Sequence, residues 1–233
     1  MTSHFKHDHR AGAGIATARG PAQIAEIAQG GLYARYAKRG LDIVGAVLLG
    51  LVFAPLILVL LLVVTRDGGS AIFGHRRVGR DGQMFRCLKF RTMVTDAEER
   101  LNRLLVSDRR AAEQWAADRK LDPDPRITPI GRFLRASSLD ELPQLWNVLR
   151  GEMSLVGPRP VTLDELARYG EARAVYLALR PGLTGKWQVS GRNDVSYDSR
   201  IALDVEYASR ISLTEDLSIL AKTVGVVLAK TGK

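Results

Sequence analysis

Cysteine is almost absent from this chain. The lone Cys87 rules out an internal disulfide and a thiolate metal cluster, as expected of a domain facing a reducing cytosol, and it reads as an inert, partly buried thiol. Aromatics are sparse, at 6% of 233 residues, and lie mostly at apolar helical positions; a nucleic-acid binder needs stacking rings interleaved with a basic stripe. Acid is in deficit, with 25 Asp and Glu against 34 Lys and Arg. The formal net charge of +9 calls for an anionic partner: nucleic acid, anionic lipid or a phosphorylated substrate. There is no nucleotide P-loop and no internal repeat. Of four histidines, His4, His7 and His9 crowd a stretch rich in Ala, Gly and charge, too poor in apolar residues to fold by itself. Residues 1–31 are therefore expected to form a disordered tail rather than a metal site.

Charge is missing altogether from Ile43 to Val64, which reads IVGAVLLGLVFAPLILVLLLVV. About 22 residues make about 33 Å of helix, enough to fill a hydrocarbon core, so residues 32–67 are assigned to a membrane element. A signal peptide is disfavoured by position and by the Thr65-Arg66-Asp67 that follows. Pro55 near the middle removes one amide donor and predicts a kink or break. Basic residues flank both ends (Arg35, Lys38 and Arg39 before; Arg66, Arg76, Arg77 and Arg80 after), so the positive-inside bias cannot orient a span. A re-entrant helix-break-helix satisfies both flanks at once; a kinked single-pass anchor remains open at this point.

Residues 68–233 are assigned to one cytosolic catalytic domain. The whole chain is expected to be α+β and mostly helical, with a short β-hairpin and amphipathic surface helices. Alternation from Ala71 to Met93 around Gly79-Arg80-Asp81-Gly82 predicts the hairpin. Thr95 with Glu98 has a capping-box pattern ahead of one helical face bearing Leu101, Leu104, Leu105, Ala112 and Trp115. Thr128-Pro129 opens a short helix, and Ser138 with Glu141 reads as a second capping box before Leu142, Leu145, Trp146 and Leu149. Further helices are expected from about 163 to 179, along Tyr197, Ile201, Val205 and Ala208, and along Leu213, Leu217, Leu220, Val224 and Val227. A Gly-rich connection is expected from Pro181 to Arg192.

Adjacent acids at a helix start have an ordinary explanation in capping and the helix dipole. Their surroundings alter the balance. Arg132 and Arg135 precede Asp140 and Glu141, Arg159 sits between two prolines after them, and Arg180 and Arg192 lie beside glycines. Guanidinium forks grip phosphate oxygens. An ionised carboxylate among arginines can attack phosphorus to give an acyl phosphate, provided a hard divalent cation and the arginines neutralise the developing charge. Asp140 is the candidate nucleophile, and Glu141 with Asp140 the candidate ligand pair for Mg²⁺ or Mn²⁺. A non-enzymatic basic membrane adaptor and a membrane-tethered nucleic-acid binder are the competing classes; an adaptor has no need of an acid pair amid arginines.

Four stretches, KRGLDIVGAVLLGLVFAPLILV, HRRVGRDGQMFRCLKFRTM, SSLDELPQLWNVLRGEMSLVGPRP and LRPGLTGKWQVSGRNDVSYDSR, resemble the bacterial sugar transferase family in that order. Within it they are most similar to the short exopolysaccharide-initiating galactosyl-phosphate transferases, which lack the large multi-span N-terminal part of longer relatives. The resemblance implies a ping-pong transfer of a hexose-1-phosphate from a UDP-sugar to undecaprenyl phosphate. Asp140 would carry the phosphosugar and UMP would leave. It implies Mg²⁺ on Glu141, active-site positions at Lys89, Arg135 and Asp204, and substrate contacts from Arg159 and its neighbour Pro158, Arg180, Arg192 and Arg91. It also implies a re-entrant membrane hairpin at the cytoplasmic face of the inner membrane. The implied partners are membrane lipid, later glycosyltransferases of the pathway and a second copy of the chain, with no nucleic acid. Ala54 stands before Pro55 where several relatives carry a hydroxyl residue.

Overall fold

The computed structural model describes residues 20–118, 120–190 and 196–228. Helix predominates, with one long apolar helix near the N-terminus and two small two-stranded sheets among the described residues. The expected tail reaches too far. Pro21–Gly30 forms α1, with proline at its start where no donor is lost. Ile24 and Ala28, one turn apart, are buried, and α1 packs on α8 (Arg173–Ala178) and α10 (Tyr197–Ser209). Two apolar side chains are too weak a pattern to reveal a helix whose partner surface lies 150 residues away. Residues 1–19, with His4, His7 and His9, lie outside the described residues.

A π-helical turn, Tyr33–Ala37, leads into α2, Lys38–Val64. The helix runs through Pro55 without interruption, in place of the expected helix-break-helix. One proline removes one donor and leaves the rest of a 27-residue ladder intact. The segment has a mean hydropathy of 3.2 in its most apolar window, long and apolar enough to cross a membrane by length and composition. Leu51, Val52 and Leu62 are among its exposed apolar side chains, Val52 being 72% exposed.

Both ends of α2 are nevertheless held by the same domain. At its start, Lys38 Nζ donates to Asp216 Oδ2 at 2.6 Å, joined there by Tyr33 Oη at 2.6 Å, while Tyr207 Oη donates to Asp216 Oδ1 at 2.7 Å. One turn on, Asp42 Oδ1 accepts from Ser154 Oγ and the Leu155 amide, both at 2.9 Å, and Arg39 donates to the carbonyls of Val148 and Leu149. Ala46 enters a core with Leu145, Val148, Leu155, Tyr207 and Ile219. At the far end Leu60 and Val64 enter a second core with Ala71, Phe90 and Leu134; Leu142 packs against both.

The hairpin is where alternation places it. β1 (Ile72–Val78) pairs antiparallel with β2 (Met84–Phe90), with Phe73 opposite Lys89, His75 opposite Cys87 and Arg77 opposite Phe85. The next helix is divided. α3 (Ala97–Ser107) has Asp96 rather than Thr95 at its N-cap and no side-chain cap. α4 (Arg109–Asp118) starts after Asp108, whose carboxylate accepts from the amides of residues 110 and 111. α5 (Pro129–Ser137) starts as read, with Thr128 Oγ1 accepting from the Gly131 amide at 2.9 Å. α6 is Gln144–Arg150, and its Trp146, expected on the apolar face, is exposed. The helix expected over 163–179 comes as α7 (Leu163–Ala167) and α8, and α7 carries a complete capping box between Thr162 and Glu165.

The Gly-rich connection holds a strand. β3 (Ser154–Val156) pairs parallel with β4 (Gly182–Thr184), and α9 (Lys186–Val189) follows. Three-residue strands are too short for alternation to show. A Cβ on Gly182 would lie 2.1 Å from the Gly157 amide nitrogen, so glycine is what lets the two backbones meet. α11 is Leu213–Leu228.

The Lys38–Asp216 pair is buried, with Asp216 wholly inaccessible. Asp216→Ala would strand the Lys38 ammonium and the Tyr33 hydroxyl and leave Tyr207 only the Val156 carbonyl at 3.3 Å, so a loss of about 3–5 kcal/mol is expected in denaturant unfolding of the detergent-solubilised protein. Replacing Lys38 and Asp216 together by methionine and leucine should recover part of that loss.

Candidate active site

The acid pair does not open a helix. Ser138 ends α5 in the left-handed region (φ 57°) and makes no side-chain cap, so the expected Ser138–Glu141 box is absent. Leu139–Glu141 forms a 3₁₀ turn, and α6 starts only at Gln144. The tight turn sets both carboxylates on one side, against β2. Lys89 Nζ donates to Glu141 Oε1 at 2.7 Å and to Asp140 Oδ2 at 3.4 Å. Asp140 is buried, and burial raises its carboxyl above the usual aspartate range; the Lys89 charge opposes this and Glu141 adds to it. For Lys89, burial disfavours the ammonium, but Glu141 and then Asp140 outweigh it and hold its pKa above the ordinary lysine value.

These groups line a cavity of about 700 Å³. The hairpin supplies one wall through Phe73, His75, Arg77, Cys87 and Lys89, all on one face by the register of β1 and β2. Arg135 also lines it, placed by Nε donation to Thr92 Oγ1 at 2.9 Å. Gly131 brings α5 that close, since a Cβ there would lie 2.0 Å from the Thr92 carbonyl oxygen. Arg159, Trp187 and Gln188 form a further side. Cys87 is buried, and burial pushes its thiol up to about 11, which keeps it unreactive as expected.

Not all the expected residues come together. Arg91 reaches the cavity wall, but its guanidinium is engaged by Asp67 and the carbonyls of Val64, Ser70 and Met93. It ties the end of α2 to β2 instead of offering its fork to a substrate. Arg180 donates from Nε to the Gly151 carbonyl at 2.9 Å and lies outside the cavity lining. Pro158 and Asp204 line a separate narrow crevice with Tyr169 and Tyr176. Tyr169 Oη donates to Asp204 at 2.8 Å, and burial pushes the Asp204 carboxyl up to about 7 against that bond and Arg200. Arg192 is outside the described residues.

Arg77, Trp187, Gln188 and Arg200 had not been singled out. Arg77 donates to Glu165 at 2.7 Å and faces the cavity; strand alternation from Lys89 across the hairpin could have found it. Arg200 lies one helical turn before Asp204 on α10, outside the cavity lining, with its guanidinium over the Trp187 ring at 4.8 Å, and no sequence signal marked it.

Asp140 and Glu141 suit a hard cation. Two adjacent carboxylates already hold one positive group, the Lys89 ammonium, and no third His, Cys, Asp or Glu joins them among the described residues. A six-coordinate Mg²⁺ would draw its other oxygens from water and from a phosphorylated ligand.

Sequence comparison decides the family. The signature of the bacterial sugar transferases matches residues 33–230. The chain belongs to that family. It is 54% identical over 198 residues to the UDP-galactose-lipid carrier transferase of Erwinia amylovora, covering 85% of this chain and 42% of the relative. It is 53% identical over 198 residues to the undecaprenyl-phosphate galactose phosphotransferase of Salmonella typhimurium, with the same coverage. It is 52% identical over 197 residues to the exopolysaccharide production protein ExoY of Rhizobium meliloti, covering 84% of this chain and 87% of that one. The chain thus spans less than half the length of the first two relatives, and their shared region contains the whole acid-pair cavity.

The buried Asp204 generates a pH test. A carboxyl with a folded-state pKa near 7 and an unfolded value near 4 binds its proton more tightly when folded. Stability is therefore expected to fall as pH rises from about 4 to 7 and to level off above. Asp204→Asn keeps an acceptor for Tyr169 and should flatten that dependence in thermal unfolding scans.

Proposed function

We propose that this member of the bacterial sugar transferases moves a hexose-1-phosphate, with galactose-1-phosphate as the first choice, from a UDP-sugar to undecaprenyl phosphate, starting an exopolysaccharide repeat unit. The names of its relatives, a UDP-galactose-lipid carrier transferase and an undecaprenyl-phosphate galactose phosphotransferase, support the substrates. The observation that carries the chemistry is the buried Asp140, held by Lys89 in a cavity that Arg159 and Arg135 also line, close to the end of the long apolar helix.

An Asp140 carboxylate oxygen attacks the sugar-linked phosphorus. The bond from that phosphorus to the bridging oxygen breaks, and UMP leaves with the bond's electron pair. In the second half a phosphate oxygen of the lipid attacks the same phosphorus and the Asp140 carboxylate departs unchanged. Lys89 aims Asp140 and favours its ionised form against the effect of burial, and Arg135 and Arg159 counter charge on the phosphoryl oxygens. Glu141 and Asp140 would hold Mg²⁺ or Mn²⁺, which when bound would supply neutralisation of phosphate charge.

We also propose that α2 enters the membrane from one side and does not cross it, bending at Pro55 where the ladder lacks a donor while staying helical, with the domain on the cytoplasmic face. Both ends of α2 pack on one domain through Lys38, Asp42, Leu60 and Val64, an arrangement that suits entry and return from one side better than a crossing. A basic membrane adaptor, the competing reading, leaves the Asp140–Lys89–Glu141 arrangement without a use.

Two measurements test this. With UDP-galactose and Mg²⁺ but no lipid acceptor, UMP release is expected to stop near a single equivalent per active site, with a protein adduct of one hexose phosphate by mass spectrometry. Folded Asp140→Asn should form no adduct, and wild-type turnover by that variant would sink the covalent route. For topology, single cysteines introduced near Gly31 and at Lys233 in a Cys87→Ser background should both resist an impermeant thiol reagent added from the periplasmic side. Labelling at only one of them would overturn the re-entrant arrangement.

A further inference from the structure

Buried polar side-chain atoms in folded proteins are nearly always hydrogen-bonded, so the exceptions point somewhere. Among the described residues those without a partner are Arg159 Nε, Arg200 Nε and Nη2, Trp187 Nε1 and Gln188 Oε1. They form one cluster. The Arg159 and Arg200 guanidiniums lie over the Trp187 ring at 5.4 and 4.8 Å from its centroid, and Gln188 is the next residue along. Two cations gathered on one indole repel each other, and the carboxylates around them do not settle the balance. Glu165 gives Oε2 to Arg77 at 2.7 Å, and its Oε1 is 3.9 Å from Arg200 Nη2, beyond hydrogen-bond reach. Glu141 acts on Arg159 and Asp204 on Arg200 through charge alone, with no hydrogen bond to either guanidinium, so the hydrogen-bonding capacity of both is open. Phosphoryl oxygens, with several lone pairs and negative charge, are the chemistry that fits.

Two phosphates meet in the transfer proposed above, and the cavity offers them different surroundings. Phe90 lines it and packs with Leu60 and Val64 of α2, the helix proposed to sit in the membrane. Arg159, Trp187 and Gln188 also line it, and Arg200, outside that lining, stacks on the Trp187 ring. We propose that Arg200, together with Arg159 and on the Trp187 platform, grips the nucleotide phosphate of the donor, the one that departs as UMP. Arg200 is then an affinity determinant for the donor and no part of the lipid site. The assignment rests on the transfer reading, and Glu165 has a defined place in it as the counter-ion that orients Arg77 and, at longer range, Arg200.

The test is titration of the detergent-solubilised full chain with UMP, uridine, orthophosphate and a short-chain prenyl phosphate, followed by thermal shift, for wild type, Arg200→Gln and Arg200→Lys. Arg109→Gln, which removes an exposed charge outside the cavity, serves as the control. Wild-type protein is expected to prefer UMP to uridine. Arg200→Gln should weaken UMP and raise KM for the UDP-sugar by about tenfold or more, the loss of a charge-assisted contact, with prenyl phosphate binding unchanged. Arg200→Lys, which keeps the charge but not the fork, should fall between and guards against a glutamine variant that does not fold. Wild-type UMP affinity in a folded Arg200→Gln or Arg200→Lys variant overturns the Arg200 site and leaves the transferase standing. A loss confined to prenyl phosphate overturns the nucleotide assignment. Wild-type protein that binds no uridine nucleotide at all overturns the transfer reading on which both rest.

Discussion

Charged groups at the head of α2 have to be neutralised before the helix turns apolar, and the way this is done organises the molecule. Asp216 receives Lys38, Tyr33 and Tyr207 on its two oxygens. Asp42, a turn later, is met by Ser154 and the Leu155 amide. These contacts fix α2 against α11, α10 and β3 at once. β3 in turn pairs with β4, and the loop that leaves β3 carries Arg159. The foot of the apolar helix and the arginine side of the cavity are therefore parts of one rigid frame, which is why a carboxylate buried well outside the chemistry matters to it.

In and beside the cavity the same problem of compensating charge is solved with less completeness. Lys89 satisfies the acid pair, and Glu165 satisfies Arg77, but the pair of guanidiniums on Trp187 is left under-compensated. A protein selected for stability alone would bond such groups or bury apolar ones in their place. Residual positive charge beside a buried carboxylate suits an anionic ligand, and it gives the chain's surplus of basic residues a local use.

Much of this was legible in the sequence because the relevant signals are local. Period-two alternation and the Gly79–Gly82 turn located the hairpin, Thr128-Pro129 located α5, and an uninterrupted apolar run located α2. The site was legible in part. Asp140, Glu141, Lys89, Arg135 and Arg159 all line the cavity, whereas Pro158, Arg180 and Asp204 do not. What escaped depends on distance in the chain. Ser138 looks like a cap but adopts a left-handed turn because α5 must end there for the acids to meet Lys89. α1 needs α8 and α10 to be a helix at all, and β3 and β4 are too short to announce themselves. Arg91 looks like a phosphate ligand by residue type, and only its partners reveal a tether.

That tether has a mechanical side. Arg91 stands two residues beyond Lys89 and bonds the Val64 carbonyl and Asp67, so the last turn of α2 and the strand that holds the acid pair are joined by a linkage with almost no slack. On the proposed seating of α2 in lipid, this linkage would work as a depth gauge. The height of Asp140 above the hydrocarbon would then be set by the protein's own geometry and not by the thickness of the bilayer around it. A membrane that grew thicker or thinner would have to deform at the protein's edge, while the carboxylate kept its distance from the end of α2.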